Sequence, residues 1–207
     1  MKYILETENL EKKYGKFKAI NNLNMYIEKG SIYGLIGKNG AGKTTLIRVI
    51  CGLQKPTAGN YFIYGVSNRS NQISRCRMRI GAMIEKPSLC LDMTAEDNLK
   101  EQYKIVGIPD YSCLQDILKI VKLDNTGKKK TKDFSLGMKQ RLGIAISLVG
   151  RPDFIILDEP INGLDPEGII EIRELILKLN KEYGITFLIS SHYLDELSKI
   201  ATFYGFM

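Results

Sequence analysis

Apolar and polar residues alternate along the start of the chain, as they do in half-buried β-strands. The alternation predicts strands over residues 3–10 and 17–27. A short, wholly apolar run over residues 32–36 predicts a strand that is buried on both faces, as in a parallel sheet. Two more strands are predicted over residues 61–64 and 80–84. The first part of the chain is therefore expected to be mainly β.

The pattern turns helical over residues 87–150 and then returns to alternating strands and helices. Within the helical stretch, Thr94 and Asp97 have the spacing of a capping box, which predicts a helix start. A later helix is expected to open at Asp165, which is followed by proline, and to close at Gly184. The helical stretch therefore resembles an insertion in a sheet domain more than a second domain.

Length and composition agree with one globular domain. The 207 residues are 44% hydrophobic and 26% charged, enough for a core without disulfide bonds. We predict a single α/β domain over residues 1–207, in which 1–86 and 151–207 form the sheet core and 87–150 the helical insertion. No stretch approaches the roughly 18 apolar residues of a membrane span, and the start lacks a signal-peptide pattern, so we expect a cytoplasmic protein.

Net charge and cysteine content exclude few classes of function. The net charge is +7, but the basic residues are scattered, so solvated faces, anionic lipid and nucleic acid explain it equally well. The cysteines form no CxxC pair and His192 is the only histidine, so the spacing of a zinc site is absent. We expect four reduced thiols in the core: Cys51, Cys76, Cys90 and Cys113.

A glycine-rich segment after residues 32–36 carries the clearest chemistry. It reads Gly37-Lys38-Asn39-Gly40-Ala41-Gly42-Lys43-Thr44 and precedes a predicted helix. Glycines let several backbone N–H groups converge on phosphate oxygens, and the helix start adds its dipole. The segment predicts a nucleotide site in which Lys43 binds the β- and γ-phosphates and Thr44 ligates Mg²⁺. Thr45 is expected to add a phosphate contact.

Two later apolar strands end in residues suited to hydrolysis. Asp158 and Glu159 follow one strand, and His192 follows the other. Because the carboxyl ends of parallel strands meet at one edge of a sheet, we expect these residues beside the phosphate loop. Asp158 is expected to hold Mg²⁺ through water, Glu159 to take a proton from the attacking water, and His192 to sense the γ-phosphate.

Two residues allow a structural as well as a functional interpretation. Tyr14 is either an exposed aromatic at a strand end or a residue that stacks on adenine, and the phosphate loop favours stacking. Ser135, taken alone, is an ordinary helix N-cap.

Together these elements resemble the nucleotide-binding subunit of an ATP-binding-cassette (ABC) transporter, over nearly the whole chain. The phosphate loop resembles the Walker A motif, and residues 154–158 with Glu159 resemble Walker B. Phe134-Ser135-Leu136-Gly137-Met138 resembles the family signature, which is usually Leu-Ser-Gly-Gly-Gln. Gly163-Leu164-Asp165 resembles the D-loop, which places Asp165 among the expected nucleotide contacts.

The resemblance implies the ABC ATPase fold, which is a P-loop NTPase-type, mainly parallel sheet with an N-terminal antiparallel β subdomain and a helical insertion. It implies ATP and Mg²⁺ as cofactors. It also implies a head-to-tail dimer, in which Ser135 and Gly137 of one copy contact the ATP held by the other. The further implied partner is an integral membrane permease, which places the subunit peripherally on the inner face of the cell membrane. No nucleic-acid partner is expected.

Two features set the chain apart from the general family pattern. Glu85 stands where the family usually has glutamine, and the resemblance implies that its carboxylate ligates Mg²⁺. The segment around Glu85 and the Ser-Leu-Gly-Met-Lys-Gln signature resemble the subgroup that exports or excludes bacitracin and lantibiotic-type peptides. Family members usually continue beyond the strand predicted near residues 200–206, so we also expect a chain truncated after Met207.

The leading hypothesis is therefore an ATP-hydrolysing subunit that powers a separate permease for export of, or resistance to, antimicrobial peptides. The alternative is a soluble ABC-type ATPase that acts on the ribosome or DNA, although such proteins typically carry two cassettes or a long coiled-coil insertion. A third hypothesis is an interaction module that binds ATP without hydrolysis. Glu159 and His192 argue against it.

Overall fold

The computed structural model describes residues 2–207. An antiparallel sheet comes first, with strand order β2-β1-β4-β5. Its strands are β1 (Tyr3–Tyr14), β2 (Phe17–Glu28), β4 (Ala58–Ile63) and β5 (Val66–Ser67). The first hairpin is longer than predicted, because β1 and β2 stay paired up to its turn through polar residues that break the apolar alternation.

A five-stranded sheet forms the centre of the molecule, with strand order β6-β7-β8-β3-β9. Its strands are β3 (Ile32–Ile36), β6 (Ile80–Met83), β7 (Phe154–Asp158), β8 (Thr186–Ser191) and β9 (Phe203–Phe206). Every pairing in this sheet is parallel. The carboxyl ends of its strands therefore meet at one edge, and the predicted α/β class is confirmed.

Seven α-helices accompany the two sheets over residues 2–207. They are α1 (Lys43–Ile50), α2 (Ile73–Arg77), α3 (Ala95–Ile105), α4 (Leu114–Ile120), α5 (Leu136–Leu148), α6 (Pro166–Tyr183) and α7 (Leu194–Leu197). Helices α3, α4 and α5 lie between β6 and β7 in the chain. The capping box that opens α3 is confirmed, since Thr94 Oγ1 accepts from the backbone N–H of Asp97.

The parallel sheet separates two hydrophobic cores. Ile155 and Leu157 of β7 belong to the core formed with α6 and with helices α3 to α5. Phe154 and Ile156 belong to the core formed with α1 and the antiparallel sheet. Because both faces of the sheet are covered, its central strands are apolar throughout and show no alternation in the sequence.

Helix α5 packs closely on β6. A Cβ atom on Gly81 of β6 would lie 2.1 Å from the carbonyl oxygen of Ser147 in α5, so only glycine fits there. This contact fixes α5, and with it the signature segment at its N-terminus, against the sheet.

The cysteines are all free thiols, as predicted. The prediction that they lie in the core is correct for Cys76, which belongs to a core cluster that Cys51 packs against, and wrong for Cys90. Cys76 is buried, Cys51 and Cys113 are partly exposed, and Cys90 is exposed. Cys90 lies in the irregular segment before α3, where no apolar periodicity fixes a buried face. Among the helices of residues 2–207, none is both long enough and apolar enough to cross a membrane.

Candidate functional site

The carboxyl edge of the parallel sheet brings the predicted catalytic residues together. Strand β3 leads into the phosphate loop, β7 ends at Asp158, and β8 ends just before His192. The backbone N–H of Gly37 donates to the carbonyl of Ser191 (3.3 Å), which ties the loop to the end of β8. The predicted clustering at this edge is therefore present in the fold.

The phosphate loop surrounds the side chain of Lys43, the first residue of α1. Its ammonium group donates to the carbonyls of Gly37 (2.6 Å) and Lys38 (3.2 Å), so the side chain lies along the loop. Gly42 has φ 103°, and a Cβ atom there would lie 2.1 Å from the carbonyl oxygen of Ala19. Only glycine satisfies both conditions.

Asp158 is fully buried, and both of its carboxylate oxygens accept hydrogen bonds. Thr44 Oγ1 donates to Oδ2 at 2.7 Å, and Ser190 Oγ donates to Oδ1 at 2.5 Å. Ser190 was not predicted as a site residue. The available signal was its position at the end of β8, which the strand register sets beside Asp158.

Glu159 lies between two partners. Its Oε1 is 3.2 Å from Lys43 Nζ, and its Oε2 is 2.9 Å from His192 Nδ1. Its backbone has φ 52°, a left-handed conformation that is uncommon for glutamate, and its N–H donates to Ser190 Oγ at 3.0 Å. The turn after β7 thus aims the carboxylate at the phosphate-loop lysine.

The oxygens of Thr44 and Asp158 fit a magnesium site. A hydroxyl and a carboxylate are hard ligands of the kind that Mg²⁺ takes, and their contact places them side by side. Within residues 2–207 no group of three or more His, Cys, Asp or Glu side chains is placed to hold a metal by itself.

Glu85 has a different partner from the one expected. Its carboxylate accepts a hydrogen bond from the Arg48 guanidinium at 2.7 Å, and its side chain is 57% exposed. No hydrogen bond joins Glu85 to Thr44 or Asp158 within residues 2–207. The metal role of Glu85 therefore stays a prediction.

Ser135, Gly137 and Asp165 lie together in a second place. They line one shallow cavity of about 400 Å³, and no phosphate-loop residue lines it. Ser135 Oγ accepts from the N–H of Met138 (3.2 Å) as the N-cap of α5, and Asp165 Oδ1 accepts from the N–H of Gly168 (3.1 Å) as the N-cap of α6. The signature and D-loop segments therefore form one surface.

The remaining predicted nucleotide contacts lie on the surface. Tyr14 is 46% exposed, its hydroxyl donates to Gln54, and Lys12 Nζ lies 5.1 Å from its ring centroid. Asn39 and Gly40 are exposed, while Ala41 and Thr45 are partly buried. These residues are accessible to a ligand.

The chain is similar in sequence to known proteins. The family model for ABC transporters matches residues 20–162. The bacitracin transport ATP-binding protein BcrA of Bacillus licheniformis is 46% identical over 205 residues, which cover 99% of this chain and 67% of BcrA. The lantibiotic transport ATP-binding protein SrtF of Streptococcus pyogenes is 46% identical over 205 residues, which cover 99% of this chain and 86% of SrtF.

A solved structure shares the fold. The ATP-binding cassette MJ0796, in a dimeric post-hydrolysis structure bound to ADP and Pi, superposes with a TM-score of 0.83 at 25% identity, covering 98% of this chain and 94% of that one. The predicted ABC ATPase fold is thereby confirmed. The chain spans about two-thirds of the length of several curated relatives that it matches. It belongs to the ABC transporter family, as an ATP-binding cassette of the subgroup that includes the bacitracin and lantibiotic transport ATP-binding proteins.

Proposed function

We propose that this chain binds and hydrolyses ATP as the nucleotide-binding subunit of a transporter that exports, or gives resistance to, antimicrobial peptides such as bacitracin or lantibiotics. The observation that carries the hydrolytic part is the contact of Glu159 with both Lys43 and His192 at the mouth of a phosphate loop. A loop that only bound nucleotide would not need a carboxylate placed there.

In this proposal the phosphate loop and α1 hold the triphosphate. Backbone N–H groups of residues 37–44 and the Lys43 ammonium bind the β- and γ-phosphates. Thr44, Asp158 and Glu85 would hold Mg²⁺, with Asp158 acting through water. The ion, when bound, neutralises charge on the phosphate oxygens. Tyr14 stacks on the adenine, and Thr45 adds a phosphate contact.

Glu159 is the general base. Its carboxylate takes a proton from a water molecule as the water oxygen bonds to the γ-phosphorus and the bond to the β,γ-bridging oxygen breaks. His192 holds Oε2 of the carboxylate, so the free oxygen Oε1 can face the water once Lys43 has moved to the phosphate. His192, at the end of β8, also senses whether a γ-phosphate is present.

The signature surface completes the site from a second copy of the chain. Ser135, Gly137 and Asp165 lie away from the phosphate loop of their own chain, on a surface that includes the N-terminus of α5. A head-to-tail dimer brings this surface onto the ATP of the partner, where the hydroxyl, the N–H groups and the helix dipole meet the γ-phosphate. The dimeric structure of the related cassette supports this arrangement.

The partner in transport is a separate integral membrane permease, so the subunit works peripherally on the inner face of the cell membrane. The names of the relatives support antimicrobial peptides as the transported class. They also favour transport over an ATPase that acts on the ribosome or DNA, and we infer no nucleic-acid partner.

The test replaces Glu159 by glutamine in the gene within its own host. Growth inhibition by bacitracin and by a lantibiotic is then compared with that by an unrelated antibiotic. Sensitivity should rise for one of the two peptides and stay constant for the control compound. Unchanged sensitivity to both peptides, with ATP hydrolysis by the purified variant lost, would refute the transport substrate and leave the ATPase proposal intact.

A further inference from the structure

Two side chains of α1, one helical turn apart, each contact an acid at the carboxyl edge of the parallel sheet. Thr44 Oγ1 donates to Asp158 Oδ2 at 2.7 Å, and Arg48 donates to Glu85 Oε1 at the same distance. Residues four apart lie on one face of a helix. The two contacts are therefore successive links between one face of α1 and the sheet.

The two acids follow neighbouring strands and differ by one residue in level. The register of β6 and β7 sets Met83 beside Leu157. Asp158 is one residue beyond that pair and Glu85 two residues beyond it, on strands that run about 4.8 Å apart. The backbone of Glu85 therefore lies beside the proposed Mg²⁺ site, while its carboxylate is bound to Arg48.

The link between Arg48 and Glu85 can open readily. Their side chains are 38% and 57% exposed, and an ion pair in water contributes little to stability. Glu85 also has φ 61°, so the regular pleat of β6 no longer sets the direction of its side chain. By contrast, the link from Thr44 ends on a fully buried Asp158 that Ser190 also holds.

We propose that Arg48 is a positioning residue that competes with Mg²⁺ for the carboxylate of Glu85. Without nucleotide, Arg48 holds Glu85 on α1. When Mg²⁺ and ATP occupy the site at Thr44 and Asp158, the carboxylate leaves Arg48 and turns to the ion. This inference rests on the proposed function, and it makes the Arg48 side chain a determinant of how much Mg²⁺ the subunit requires.

The test measures binding of a fluorescent ATP analogue to the full chain at constant analogue and increasing free Mg²⁺. Arg48→Ala should lower the half-saturating Mg²⁺ concentration about twofold to fivefold, the effect of removing one exposed competing pair. Arg48→Lys keeps the charge without the forked guanidinium and should lie between Arg48→Ala and the unaltered chain. Glu85→Gln should raise the Mg²⁺ requirement, and adding Arg48→Ala to it should change nothing further.

Arg79→Ala is the matched control. It removes another arginine–carboxylate pair, between Arg79 and Asp153 (2.6 Å), at the opposite end of β6. Its Mg²⁺ curve should coincide with that of the unaltered chain. An Arg48→Ala curve that is unchanged or moves to higher Mg²⁺, with ATP still bound, overturns the competition but not the proposed function. Failure of the unaltered chain to bind ATP at any Mg²⁺ concentration overturns the proposed function instead.

Discussion

Lys43 Nζ lies 3.2 Å from Glu159 Oε1, so the cation proposed to bind phosphate is paired with the acid proposed to take a proton. Only 6% of the lysine side chain and 16% of the glutamate side chain are exposed, and charges interact more strongly there than in water. Nucleotide binding must therefore transfer Lys43 from a carboxylate to a phosphate. The same step frees Oε1 of Glu159 for the attacking water.

Glu159→Gln should separate binding from turnover. An amide cannot take the proton, so hydrolysis should fall by about 10²- to 10⁴-fold. ATP should bind at least as tightly as before, because a neutral amide holds Lys43 less strongly than a carboxylate does. Phosphate release and analogue binding measure the two effects, with Glu101→Gln as a control on the exposed surface of α3. Undiminished hydrolysis would contradict the general-base role.

Lys43→Ala should remove most nucleotide binding. Hydrogen bonds to charged groups contribute about 1.5–3 kcal/mol each, so losing even one phosphate contact lowers affinity about tenfold or more. Lys199→Ala, which removes an exposed lysine paired with Glu196, is the control and should bind normally. Analogue binding measures both variants. Normal affinity in Lys43→Ala would contradict the assignment of the phosphate loop.

Ser190→Ala should destabilise the fold as well as the site. The hydroxyl donates to the buried Asp158 and accepts from the backbone N–H of Glu159. Its removal leaves Asp158 Oδ1 without a donor and takes one of two acceptors from that N–H, which also donates to the Ser190 carbonyl at 3.2 Å. The expected loss is about 1.5–3 kcal/mol, measured by urea unfolding. Ser191→Ala is a matched neighbour that loses one bond, to the N–H of Tyr193, and should cost less. Equal losses in the two variants would refute this account of Ser190.

The contrast between Asp158 and Ser190 shows what the sequence could predict. Asp158, Glu159 and His192 follow strong apolar runs, and parallel strands deliver their ends to one edge whatever the exact pairing. Ser190 is significant only because β7 and β8 pair in a register that sets it beside Asp158, and a single sequence does not specify register between distant strands.

The sequence could not predict the partner of Glu85 either, for a related reason. The left-handed backbone after β6 and the face of α1 that carries Arg48 are both set by tertiary packing. Local sequence patterns therefore predicted most of the strands and helices, and the sheet edge that carries the proposed nucleotide site. The individual side-chain contacts at that edge could be identified only in the structure.

Cys113 and Cys51 should differ in reactivity. The guanidinium of Arg151, whose Nη2 donates to Cys113 Sγ at 2.7 Å, holds the pKa of the Cys113 thiol below its usual value. Burial raises the pKa of Cys51 to about 12. Because the thiolate is the reactive form, N-ethylmaleimide at neutral pH should label Cys113 and leave Cys51 unlabelled in the folded protein.

Arg151→Ala tests the cause of that reactivity. Without the guanidinium, the pKa of Cys113 rises, so its labelling should begin at a higher pH. Mass spectrometry of labelled peptides across a pH series gives the midpoint for each variant, and Arg75→Ala is the control. A midpoint for Cys113 that does not move in Arg151→Ala would contradict the proposed influence of the pair.

Ser135→Asp should distinguish the two roles of Ser135. Aspartate is as good an N-cap as serine, so α5 should keep its start and the free energy of unfolding should change by less than about 0.5 kcal/mol. The added negative charge would face the γ-phosphate held by the partner copy and repel it. In a Glu159→Gln background, ATP should therefore drive dimer formation, and adding Ser135→Asp should abolish it.

Size-exclusion chromatography with and without ATP measures the dimer, and analogue binding to the monomer is the internal control. Monomer binding should persist in the double variant, because Ser135 lies away from the phosphate loop of its own chain. Asp124→Ser, an exchange between the same two residue types at an exposed position, checks for a general effect of charge. A dimer that still forms in the Ser135→Asp variant would mean that Ser135 only caps α5. It would contradict an ATP site shared between two copies of the chain.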